Sequence, residues 1–470
     1  MLGLVLLAAA PQVAVTGGRV AGTEVEGRLL FRGIPYAAPP LRALRWKAPQ
    51  PVRRWRGVRP EKEAPACLQN DYGWNAADVR ASSEDCLTLD IRTPGLKGKR
   101  PVMVWIHGGS NRAGSARGTV LSRIGEGQVV LVAIQYRLGI FGFLPHRGAA
   151  AEARGKAGNY GLMDQIAALR WVRANIAGFG GDPANVTIFG GSAGSEDASL
   201  LLAAPQARGL FAKAILQSGT PGFGLPFRPL SEGLALGDQA GAILGAPGIA
   251  ALRRQPASAL LAADLKLADP RLHAQDFMWL RTTIDGAVLP RSPRDLLAEA
   301  PPRPVILGSN RAEFESGPLR LDAVFSANAL RAAPWYREAD ARLGPPALAF
   351  ATDFLFRCPA GRLAALLARK GAPVWRYEFD LAPDGARTSH GAELAYVLGA
   401  ARFRAGGRQI ALADYWVNFA RTGVPNGPGL PPWPLFTRGE RLHMSFDANG
   451  ATRQSMLREP LCSMMQEETL

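Results

Sequence analysis

The chain has 470 residues, with 55 Lys and Arg against 39 Asp and Glu, for a formal net charge of +16. At 47% hydrophobic and 20% charged, the composition is that of a globular protein and excludes a disordered chain, a collagen-like repeat or a small disulfide scaffold. Only eight basic residues are Lys, and the arginines are scattered from Arg19 to Arg458 with no run of five basic residues. This excludes the concentrated basic block of a nucleic-acid binder and leaves a solvated basic surface with some attraction for anions.

The chain opens on nine apolar residues, 2–10, ending Ala8-Ala9-Ala10, a stretch too short to span a bilayer. Two readings stand side by side: a signal-peptide remnant covering residues 1–10, or a buried first strand. No Lys or Arg precedes the stretch, and Pro11 follows the candidate cleavage site. No other segment has the length and freedom from charge of a transmembrane helix, so no membrane span is expected.

Further along, short apolar runs at 102–106, 129–134, 186–189, 214–217, 305–307 and 374–379 alternate with longer stretches of helical spacing such as 163–177, joined at Gly or Pro. Strands apolar on both faces belong between two helical layers, which predicts an α/β fold with a central, mostly parallel sheet. Residues 221–300, rich in Ala, Leu and Pro, read as a helical cap-like insertion. Length alone suggests roughly three domains, but residues 1–470 read here as one unit.

The run 186–189 leads into Gly190-Gly191-Ser192-Ala193-Gly194. A Gly-x-Ser-x-Gly between a strand and a helix is a nucleophile elbow, where the serine takes a strained backbone and small neighbours let strand and helix close together. A serine nucleophile needs a general base, and the chain has five histidines. His107, ahead of Gly108-Gly109, suits an oxyanion loop. His146, His273 and His443 read as loop or helix residues with surface or packing roles. His390 follows the last clear strand and fits the order Ser, acid, His. The acid should follow the strand at 305–307, where Glu313 is the candidate and Glu315 its rival. The four cysteines, Cys67, Cys86, Cys358 and Cys462, lack zinc-site spacing, so no metal is expected. They could form either two bridges in one of three pairings or four reduced thiols.

Several segments together resemble the type-B carboxylesterase and lipase family of α/β-hydrolases, which includes the cholinesterases. Phe31-Arg32-Gly33-Ile34-Pro35-Tyr36-Ala37 and Glu84-Asp85-Cys86-Leu87-Thr88-Leu89-Asp90 are similar to two of its signatures. Phe179-Gly180-Gly181-Asp182-Pro183 through Ser192 is similar to its active-site segment, and Gly158-Asn159-Tyr160-Gly161-Leu162 with Asp164-Gln165 to the segment before it. The resemblance implies an α/β-hydrolase fold and a serine carboxylic-ester hydrolase acting on small-molecule esters without a cofactor. It implies a triad of Ser192, Glu313 and His390, although Ala312 and Phe314 replace the usual residues flanking the Glu. It also implies an oxyanion hole from the N–H groups of Gly109, Ser110 and Ala193. Cys67 with Cys86, and Cys358 with Cys462, match bridged pairs of the family, which implies an oxidising compartment and a secreted or periplasmic protein. Gly191 stands where the family usually has Glu, which argues against a choline-ester specialist. Trp74, inside the first bridged loop, reads as ordinary packing rather than as a cation-binding aromatic. The rival readings are a non-catalytic binding protein, which the filled triad disfavours, and cleavage of amides or long-chain lipids.

Overall fold

The computed structural model describes residues 10–126, 128–269, 280–314, 332–336, 343–382 and 387–465. Residues 1–9, His273 and Glu315 lie outside the described residues. Among the described residues the central sheet has eleven strands. Its strands in chain order are β1 (Thr23–Val25), β2 (Arg28–Pro35), β3 (Thr88–Thr93), β4 (Arg100–Ile106), β5 (Val130–Ile134), β6 (Gly181–Gly191), β7 (Lys213–Gln217), β8 (Val305–Asn310), β9 (Val374–Phe379), β10 (His443–Asp447) and β11 (Gly450–Gln454). In space they run β11-β10-β9-β8-β7-β6-β4-β5-β3-β2-β1. Every pair from β5 to β10 is parallel, and antiparallel strands close both edges.

Alternation along each strand divides the core into two layers. Val102, Val104 and Ile106 of β4 join Val130, Val132 and Ile134 of β5 on one face. Met103 and Trp105 join Leu131 and Ala133 on the other. The first face is covered by α1 (Tyr160–Asn175), through Ile166, Leu169 and Val172, and by α2 (Ala193–Ala203), through Leu200 and Leu201. The second packs against Leu412, Tyr415, Trp416 and Phe419 of the helix Leu412–Thr422. The predicted strands therefore fall in the sheet, with the one read from 305–307 continuing to Asn310. The helix read over 163–177 begins at Tyr160 and passes into a short tighter turn, Ile176–Phe179.

Within 221–300, helices α3 (Leu230–Ile243), α4 (Ile249–Arg254) and α5 (Ala257–Asp264) are followed by a short strand, Thr283–Ile284, which pairs in parallel with Arg228–Pro229. The helix Pro293–Glu299 then returns to the sheet, capped by the Ser292 hydroxyl, which accepts from the Asp295 N–H. No helix among the described residues is long and apolar enough to cross a membrane.

Cys67 is bonded to Cys86 across a separation of 19 residues, and Cys358 to Cys462 across 104. A cross-link stabilises mainly by restricting the unfolded chain, and more so for the longer loop. Cys67→Ser with Cys86→Ser should lower the unfolding free energy by about 3 kcal/mol, and Cys358→Ser with Cys462→Ser by about 5 kcal/mol. Urea unfolding of each double variant against the oxidised parent checks both the size and the order.

Candidate active site

β6 ends at Gly191 and α2 begins at Ala193, so Ser192 alone makes the turn, with φ 57° and ψ −128°. Two glycines make room for it. A Cβ on Gly190 would stand 2.5 Å from the backbone of Gly194, and one on Gly194 would stand 2.1 Å from the Ile106 carbonyl oxygen at the end of β4. The Ser192 N–H donates to the Gln217 carbonyl of β7 at 2.8 Å, which ties the strained residue to the neighbouring strand. Ser192 thus sits at the carboxyl ends of the strands. β4 and β7 flank it and β5 lies beyond β4, so this is the point where the winding reverses and α/β sheets open a crevice.

The loop after β4 lies against this turn. A Cβ on Gly108 would be 2.6 Å from the Gly191 carbonyl oxygen and 3.0 Å from the Ser192 Cβ. Gly109 and Ser110 follow with φ of 110° and 55°. Ala193 opens α2, where backbone N–H groups have no partner within the helix. His107 itself is buried and stacks on Tyr136 at 4.4 Å between centroids, with Nδ1 facing the Gly108 carbonyl at 2.9 Å. Burial pushes it down to about 4, so it stays a neutral strut of this loop.

The loop after β8 carries Glu313, which is 1% exposed. Its Oε1 accepts from the Asn310 N–H at 2.8 Å, and its Oε2 faces His390 Nδ1 at 2.7 Å. The His390 N–H donates to the Glu313 carbonyl at 3.1 Å, so the two residues are held through backbone as well as side chain. Burial disfavours the His390 imidazolium, but the hydrogen bond to Glu313 and the charges of Glu313 and Glu393 outweigh it and raise the group above its ordinary value. With Nδ1 donating to Glu313, Nε2 is the ring atom left to accept a proton. Ser192 and His390 line the same cavity of about 150 Å³, open to solvent, whose other walls include Phe223, Leu225, Phe314 and Phe356.

Glu393 was not foreseen as a functional residue. It is fully buried, accepting from Gln217 Nε2 at 3.1 Å and Asn310 Nδ2 at 2.8 Å, and burial followed by the charge of Glu313 raises its carboxyl. Its only trace in the sequence is its place three residues after His390. Glu196, one turn along α2, also reaches the cavity. Two expectations, on His443 and Trp74, need correction. His443 lies on strand β10, buried, and is pushed down to about 3 by burial and the nearby Arg376. His146 has the packing role expected of it at a loop-to-helix junction, capping the helix Arg147–Glu152 with its ring accepting from the Gly148 N–H. Trp74 is 66% exposed rather than packed, with its ring close over Gly109. Among the described residues no group of three His, Cys, Asp or Glu is placed to hold a metal ion.

Because the folded His390 keeps its proton to higher pH than a free imidazole, near 6.5, it contributes stability below that pH. The contribution is lost as the pH rises through the folded value. An NMR titration should place the His390 midpoint above 6.5 in the native protein and lower in Glu313→Gln. Equal midpoints would count against the pairing.

The profile of the carboxylesterase family matches residues 9–321 and 334–465. Liver carboxylesterase 1 of Oryctolagus cuniculus is 34% identical over 508 residues, covering 91% of this chain and 88% of that protein. Fumonisin B1 esterase of Sphingopyxis macrogoltabida is 36% identical over 466 residues, covering 90% and 84%. Among solved structures, the carboxylesterase EST55 of Geobacillus stearothermophilus superposes with a TM-score of 0.80 at 32% identity, covering 97% of this chain and 100% of that one. A thermophilic PNB esterase gives 0.85 at 29% identity, with the same coverage.

Proposed function

The chain belongs to the carboxylesterase family and is a carboxylesterase of α/β-hydrolase fold, and within that class we propose that it works through an acyl-enzyme formed on Ser192. His390 Nε2 takes the Ser192 hydroxyl proton as Oγ attacks the ester carbonyl. The N–H groups of Gly109, Ser110 and Ala193 hold the oxyanion, and Glu313 stabilises the imidazolium. His390 then protonates the departing alcohol. In the second half a water molecule, deprotonated by the same ring, attacks the acyl carbonyl and frees Ser192.

The observation that carries this reading is the 2.7 Å contact between His390 and a buried Glu313, on the same cavity wall as a serine in a strained strand-to-helix turn. Residues 221–300 supply Gly222, Phe223, Leu225, Leu280, Arg281 and Thr282 to that wall. We assign to this segment the role of a cap selecting among small-molecule esters. The two disulfides support export to an oxidising compartment, secreted or periplasmic.

Ser192→Ala should abolish p-nitrophenyl ester turnover and labelling by a fluorophosphonate while leaving the unfolding midpoint in place. Glu313→Gln should lower kcat by about 10³- to 10⁴-fold, whereas Glu315→Gln should stay near the parent. The opposite order would move the acid to Glu315, and full turnover by Ser192→Ala would overturn the mechanism.

A further inference from the structure

The cavity beside Ser192 is walled by Phe223, Leu225, Leu280, Phe314, Leu355 and Phe356, yet α2 directs a carboxyl group into it. Ser195 and Asp197, the neighbours of Glu196 on the helix, turn to partners inside the protein. The Ser195 hydroxyl donates to the Gly219 carbonyl at 2.8 Å, and Asp197 accepts from Asn111 and Gln165. Glu196 instead lines the cavity, although it is only 6% exposed. Its two oxygens are treated differently. Oε1 accepts from the Thr282 hydroxyl and from the Gly222 N–H at 3.1 Å, while no described residue donates to Oε2. Burying a carboxyl is costly unless its oxygens are satisfied.

We propose that Glu196 is a specificity-determining residue that binds a hydroxyl or amino group carried by the ester close to its carbonyl. The inference rests on Ser192 being the acylated residue, from which Glu196 lies one helical turn away. Burial, and then the charge of Asp197, push the Glu196 carboxyl up to about 8. Near neutrality it is thus largely protonated and can both donate and accept, which suits a hydroxyl or an amine better than a fixed cation. The aromatic wall takes the apolar remainder of the substrate, and the carboxyl reads the polar atom.

The test is a matched pair, methyl 3-phenylpropanoate and its 2-hydroxy analogue, with kcat/KM measured for the parent, Glu196→Leu and Glu196→Gln. Comparing the same ratio between proteins cancels the difference in intrinsic ester reactivity. Glu196→Leu should lower the hydroxy-to-plain ratio at least tenfold while holding the plain ester within about threefold. Glu196→Gln, which can still donate and accept, should retain part of the ratio. An unchanged ratio, or an equal fall for both esters, with Ser192 still labelled by fluorophosphonate, would overturn the role of Glu196 alone. Absence of both labelling and turnover in the parent would overturn the acyl-enzyme reading with it.

Discussion

The distance at which β4, β6 and α2 meet around Ser192 governs the rest of the site. At 2.1 Å from a prospective Gly194 Cβ to the Ile106 carbonyl, the packing admits no side chain. The serine is forced into its positive φ because the chain must reverse within one residue. Such strain persists only when the surroundings over-determine it, and here the hydrogen bond to Gln217 and the contact of Gly108 with the turn do so from both sides. The loop after β4 comes close for the same reason, so the elbow and the candidate oxyanion donors are consequences of one packing event.

The loop that carries Glu313 is held by charge. Arg357 is fully buried, pairs with Asp353, meets Glu378 at 3.1 Å and donates to the Arg311 carbonyl two residues before Glu313. Arg458 reaches the same Asp353 at 2.7 Å. Buried pairs are weak evidence for stability but hold their geometry firmly, since removing one partner strands a charge. Asn310 adds a second brace by contacting both Glu313 and Glu393. His390 and Glu313 are therefore oriented by a network reaching from β7 to the helix Leu412–Thr422, where Trp416 donates to Gln217.

The central strands were legible because both of their faces are apolar, as in the Val130–Ile134 segment, buried throughout. The outer strands were not, because Thr23–Val25 and Gly450–Gln454 keep polar and exposed residues that read as loop. His443 was mistaken for the same reason: Ser445 and Asp447 interrupt its strand with polar groups that the fold buries. The strained turn at Ser192 was readable from Gly-x-Ser-x-Gly between strand and helix, whereas the 2.7 Å approach of His390 to Glu313 is a matter of the fold, proposed in the sequence only from chain order and a motif with altered flanks. Glu196 and Glu393 carry no local signal, since an acid on a helix or loop normally faces water. Only the packing of distant segments, Thr282 over one and Gln217 over the other, makes them interior.

The bridge from Cys358 to Cys462 begins one residue after Arg357, the side chain that grips the loop of Glu313. Its partner lies 104 residues further on. During synthesis the serine turn and its neighbouring strands leave the ribosome well before Cys462 exists. The contact of Arg357 with the loop of Glu313 gains its covalent fastening only once the last residues of the chain are made and an oxidant is present. In a reducing environment the chain would form the serine turn while the loop of Glu313 stood without that fastening.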